Sequence, residues 1–121
     1  MATVLIVDDS PTEVHVFKSQ LEKAGYEVIA AESGEEGLEK ARSEKPDVII
    51  MDVVMPGMSG FQATRQLAKN DNTRDIPVII ITTKDQETDK IWGMRQGAIA
   101  YLVKPVKEDQ LIGKVKEALE K

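Results

Sequence analysis

Three uninterrupted apolar runs constrain this chain more than any other feature: TVLIV (3–7), DVIIM (47–51) and PVIIIT (77–82). A strand with one wet face alternates apolar and polar side chains. These runs do not alternate, so each needs cover on both faces. YEVIA (26–30) and AYLV (100–103) read as further strands. Longer amphipathic segments separate the runs, and alternating strand and helix folds as a parallel α/β sheet with helices on both sides.

A length of 121 residues suits one core, so a single domain over 1–121 is expected, with no output domain behind it. No stretch approaches the roughly 18 apolar residues of a membrane span. The start MATVLIV lacks the basic stretch and small-residue cleavage site of a secretory leader, so a cytoplasmic protein without membrane insertion is expected. The absence of cysteine removes disulfides and thiolate metal sites. A net charge of −5, with lysines and arginines scattered among acids, argues against direct binding to DNA, which needs a concentrated basic face.

The helices carry their own start signals. SPTE (10–13) offers Ser10 as N-cap, Pro11 at the first helical position and Glu13 spaced to close a capping box; Ser33 and Glu36 repeat that spacing. In the first helix Val14, Phe17, Leu21 and Ala24 recur as a core face. A second helix covers about 34–44. A third, about 60–69, carries Phe61, Thr64 and Leu67. The fourth, about 86–96, is the weakest: Gly93 at its middle costs about 1 kcal/mol against alanine, leaving Ile91 and Met94 as its apolar anchors with Trp92 beside them. The fifth, about 107–119, places Leu111, Val115 and Leu119 at fourfold spacing.

In such a sheet ligands bind beyond the carboxyl ends of the strands. The first strand ends in Asp8 and Asp9, the third in Asp52, the fourth in Thr82 and Thr83, the fifth in Lys104. If the first and third strands are neighbours, three carboxylates share one pocket, and bare they would raise one another's pKa. An all-oxygen set relieved by a cation suits Mg²⁺. Asp52 is then a candidate nucleophile able to form an acyl phosphate, with Lys104 and Thr82 meeting phosphoryl oxygens. The turn PGMSG (56–60) follows at once; Pro56 and Gly57 shape it, and Gly60 permits close approach to the third helix.

LIVDDS, PDVIIMDVVMPGMSG, IPVIIITT and GAIAYLVKP together resemble the receiver domains of two-component response regulators, CheY-like, over essentially the whole chain. The resemblance implies a doubly wound (βα)5, flavodoxin-like three-layer sandwich with a five-stranded parallel sheet in the order 2-1-3-4-5, the order of the chemotaxis receiver itself. It implies that a histidine kinase or histidine phosphotransfer domain phosphorylates Asp52, with Mg²⁺ held by Asp9, Asp52 and the Val54 carbonyl and reached by Asp8 through water. Lys104, before a cis proline bond, would contact the phosphoryl group. Thr82 and Tyr101 would switch inward, changing a partner surface of helix four, strand five and helix five that includes Lys84, Trp92 and Tyr101. An apolar Val54 cannot orient an attacking water, so slow self-hydrolysis is expected. GFQATRQLAKN and TTKDQETDKIWGMRQGA are similar to regulators of type IV pilus twitching motility; a chemotaxis-type receiver, phosphate sink or phosphorelay shuttle is the alternative.

Other function classes fit less well. A phosphohydrolase with an Asp nucleophile needs a second acid to protonate its leaving group, and DVVMP supplies only apolar neighbours. A flavodoxin-type nucleotide binder needs a glycine-rich phosphate loop, where this chain has DDSPTE.

Overall fold

The central sheet of the computed structural model, which describes residues 1–120, is parallel throughout and ordered 2-1-3-4-5. The elements alternate as β1 (Thr3–Val7), α1 (Pro11–Lys23), β2 (Glu27–Ala31), α2 (Gly34–Glu44), β3 (Val48–Met51), α3 (Gly60–Lys69), β4 (Val78–Thr82), α4 (Glu87–Arg95), β5 (Ala100–Val103) and α5 (Glu108–Leu119). The uninterrupted runs form the three inner strands β1, β3 and β4, while β2 and β5, less completely buried, take the edges.

Side chains of a strand point alternately to its two faces, and the core divides accordingly. Val4, Ile6, Val48, Ile50, Ile79 and Ile81 pack with Phe17 and Leu21 of α1 and Leu111 and Val115 of α5. On the opposite face Leu5, Val7, Ile49, Met51 and Val78 meet Ala41 of α2 and Ala63 and Leu67 of α3. Ile80 continues that second layer towards α4, with Val53, Ala98, Phe61 and Tyr101.

Two expected packing faces differ from the observed ones. Ala24 is exposed because α1 ends at Lys23 and Ala24 is its C-cap, beyond the last turn that faces the sheet. Ile91 and Met94 are exposed as well, and the one buried residue of α4 is Gly93. Spacing alone puts the apolar stripe inward; in fact α4 turns Gly93 to the sheet, where a Cβ would come within 3.0 Å of the Ile80 and Tyr101 side chains. Burying a large aliphatic side chain contributes about 1.5–3 kcal/mol; α4 buries none and, unlike α2 with its half-buried Leu38, lends no apolar side chain to the core clusters, so it is weakly held.

Gly60 is the most tightly enclosed of the glycines. A Cβ there would lie 1.9 Å from the carbonyl oxygen of Asp52 and 2.8 Å from the Cα of Val53. Both are backbone atoms, so no rotamer change relieves the clash. The Gly60 N–H donates to the Val53 carbonyl at 3.0 Å, and Ser59 and Gln62 close a reciprocal capping box that starts α3 at this spot. Replacing Gly60 by alanine is expected to lower unfolding stability by about 3 kcal/mol, the upper end for overpacking, read as a fall in the urea midpoint.

Candidate functional site

Backbone register brings the acids together. Val7 and Met51 are partners across β1 and β3, and the Asp52 N–H donates to the Val7 carbonyl at 2.9 Å. The next residues, Asp8 and Asp52, therefore stand side by side at the carboxyl edge. Asp8, Asp9 and Asp52 each offer an oxygen within 4.8 Å of the others. Asp8 and Asp52 are buried while Asp9 is exposed, so the cluster opens to solvent on one side. Hard, all-oxygen donors at this spacing can hold a cation of the Mg²⁺ type. Val54 sits in the adjoining loop with its side chain exposed.

The two oxygens of Asp52 are not equivalent. Oδ1 accepts the Val53 N–H at 2.8 Å, leaving Oδ2 facing Lys104 Nζ at 3.5 Å. Lys104 follows β5 and is fixed by its own N–H, which donates to the Thr82 carbonyl at 2.8 Å; its bond to Pro105 is cis. Its ammonium also lies 2.9 Å from Asp8 Oδ2. Burial pushes the Asp52 carboxyl above the ordinary aspartate value; Lys104 opposes the rise and Asp8 adds to it. Burial pulls Lys104 down, but its hydrogen bond to Asp8 and the charge of Asp52 outweigh this and leave its pKa raised. Asp52 is thus buried at a like-charged neighbour's side, and both effects raise its pKa against the pull of Lys104.

Thr82 ends β4 fully buried, whereas Thr83 is exposed. The Lys84 N–H donates to the Thr82 hydroxyl at 3.5 Å, and the Lys84 carbonyl accepts the Tyr101 hydroxyl at 2.9 Å. Thr82, Lys84 and Tyr101 are thereby linked through one short loop. Tyr101 lies beneath α4: a Cβ on Gly93 would come within 2.9 Å of its ring. Burial, then the charges of Asp89, Asp52 and Asp85, push the phenol up to about 12. Trp92 is 50 % exposed on the outer side of the same helix, beside exposed Ile91 and Met94.

One residue of the site escapes a reading by motif. Glu13 does not complete a capping box; the Ser10 N–H donates to Asp8 Oδ1 at 2.9 Å instead, and the Glu13 carboxylate reaches Lys104 Nζ at 3.3 Å. Its position one turn into the helix that starts at the strand tips was the available signal. His15, further along α1, is exposed.

Comparison with known proteins agrees with this architecture. Residues 4–116 match the response regulator receiver domain family. The chain is 60 % identical over 119 residues to protein PilH of Pseudomonas aeruginosa, covering 98 % of both. It is 39 % identical over 116 residues to the alkaline phosphatase synthesis transcriptional regulatory protein PhoP of Bacillus subtilis, covering 96 % of this chain and 48 % of that protein. The structure of the Vibrio cholerae chemotaxis protein CheY4 superposes with a TM-score of 0.92 at 37 % identity, covering 98 % of this chain and 99 % of that one.

Two outcomes follow from the geometry. The raised Asp52 pKa means that the folded state holds this proton to higher pH than the unfolded chain, so the group destabilises progressively as pH rises from the unfolded value through the folded one. In chelator at neutral pH, Asp52→Asn is expected to melt a few degrees above the parent, the gap closing towards acid; added Mg²⁺ should stabilise the parent more than the variant, both read by thermal unfolding. Gly93→Ala should improve helix propensity by up to about 1 kcal/mol yet displace the Tyr101 ring. Its phenol would then titrate nearer the ordinary 10 than 12 in an absorbance titration.

Proposed function

We propose, from the premise that this chain belongs to the response regulator receiver domain family, that Asp52 accepts a phosphoryl group from a histidine kinase or histidine phosphotransfer domain. The observation that carries this reading is the asymmetry of Asp52: one oxygen is tied to the Val53 N–H and the other faces the Lys104 ammonium at the acidic edge. Asp52 Oδ2 attacks the phosphorus of a phosphohistidine; the O–P bond forms as the N–P bond breaks, and the imidazole leaves and takes up a proton from solvent.

Asp8, Asp9, Asp52 and the Val54 carbonyl are assigned to hold Mg²⁺, a role that the mutual spacing and oxygen chemistry of the three carboxylates support. Bound there, Mg²⁺ supplies positive charge against the phosphoryl oxygens. Lys104 gives one N–H to a phosphoryl oxygen, and the Thr82 hydroxyl gives another hydrogen bond once it turns towards it. Because Thr82 and Tyr101 share the Lys84 backbone, that turn is felt by Tyr101 and by α4 above it. The readout surface we assign is α4, β5 and α5, with Lys84, Trp92 and Tyr101 as contacts for a downstream protein.

In this reading the protein is a signalling phosphoacceptor that catalyses only its own phosphorylation and dephosphorylation. It acts in the cytoplasm, and the receiver domain works by direct contact with its partner. The exposed, apolar Val54 beside the acceptor leaves no side chain there to orient a hydrolytic water, so the phosphorylated form is long-lived. The output we assign is type IV pilus twitching motility under chemosensory control, supported by the 60 % identity to PilH over nearly all of both chains.

Incubation with Mg²⁺ and acetyl phosphate, followed by intact mass, is expected to add one phosphoryl group. The gain should vanish in Asp52→Asn. A gain that survives the substitution moves the acceptor elsewhere, and an absent gain should be repeated with a histidine kinase as donor.

A further inference from the structure

The Lys104 ammonium has three N–H bonds to give, and three carboxylates stand around it: Asp8 at 2.9 Å, Glu13 at 3.3 Å and Asp52 at 3.5 Å. Asp8 and Asp52 come from the strand tips, and their places follow from the register of β1 and β3. Glu13 comes from the first turn of α1 and is outside the group of three acids able to share a metal ion. Nothing in the capping of α1 requires its carboxylate to turn this way. Ser10 caps the helix by accepting the Glu13 N–H, and the Ser10 N–H is satisfied by Asp8. The Glu13 side chain is thereby free, and what it contacts is Lys104.

Two consequences for an incoming anion follow. The Lys104 ammonium is paired at 3.3 Å with a carboxylate that stands outside the three-acid cluster. A third carboxylate, with Asp8 and Asp52, is also held against a single ammonium. A phosphoryl group brings further negative charge to the same ammonium, and the Glu13 side chain, 38 % exposed, is screened by water but not removed by it. We infer that Glu13 is a charge brake on the acceptor site: it shares Lys104 with the phosphoryl group and weakens the hold of the site on that anion. The inference rests on Asp52 being the phosphoryl acceptor and deepens that reading. Glu13 touches no reacting atom, so it acts through Lys104 as a positioning residue.

Removing one negative charge acts on cation and anion with opposite signs, and this separates a brake from a prop. The whole chain is titrated with Mg²⁺ alone, then with beryllofluoride, a phosphoryl mimic, at saturating Mg²⁺, by calorimetry. Glu13→Gln is expected to bind beryllofluoride about three- to fivefold tighter than the parent, the size of an exposed charge interaction. The gain should shrink as salt is raised, and Mg²⁺ alone should bind more weakly. Glu13→Ala, which keeps the Ser10 cap because only the backbone of residue 13 takes part in it, should behave alike. Beryllofluoride binding that is unchanged or weaker in both variants overturns the brake, since loss of a structural support lowers affinity for anion and cation together. If the parent binds no beryllofluoride in Mg²⁺, the acceptor assignment fails and the brake with it. Binding by the parent that Asp52→Asn abolishes, without a gain on losing Glu13, removes the brake alone.

Discussion

Two carboxylates buried next to each other at the tips of β1 and β3 set the terms for the rest of this molecule. Like charges at such a place resist being ionised together, and the fold answers with one ammonium, Lys104, brought from the far side of β4 by the end of β5. That ammonium is fixed at both ends. Its backbone is tied to Thr82 and its Nζ is surrounded by acids. The sheet order makes this feasible. With β3 between β1 and β4, residues distant in the chain, such as Asp8 and Lys104, come within 2.9 Å. The residual negative charge is of the kind that a divalent cation could neutralise.

The same arrangement explains why most of the fold was legible from residues alone. Continuous apolar runs admit only two-sided burial, and the strand tips are where polar residues interrupt them, so Asp8, Asp52, Thr82 and Lys104 announce themselves by position. Strand order came from family resemblance, since runs of Val and Ile do not name their neighbours. Glu13 was read by its spacing from Ser10, and spacing describes a helix in isolation. Once Asp8 takes the Ser10 N–H, the local motif is broken by a tertiary contact that no local pattern contains. Ile91 and Met94 were misplaced for a related reason. Helical periodicity identifies an apolar stripe without saying whether sheet or solvent receives it, and here the sheet receives Gly93.

Gly93 ties the weakness of α4 to its position over Tyr101. A helix that buries no large side chain is held mainly by its ends and by what lies under it. Here a phenol ring fills the space where a Cβ would otherwise project. The ring in turn is pinned through its hydroxyl to the Lys84 carbonyl, two residues from Thr82. The loop between β4 and α4 is therefore a short mechanical link between a buried hydroxyl at the acidic edge and a helix that little else restrains. Exposed Ile91, Trp92 and Met94 ride on the outer side of that helix, so a small tilt re-presents an apolar surface to the outside.

The amide of Val53 has a chemical consequence beyond anchoring. By engaging a lone pair of Oδ1 it distinguishes the two oxygens of Asp52 and leaves Oδ2, towards Lys104, the less committed one. In the acceptor role proposed above, an electrophile would then meet that same oxygen, whatever group departs behind it. In that role, discrimination between one source of phosphorus and another would fall to the rim of the molecule, where side chains can vary without disturbing the chemistry.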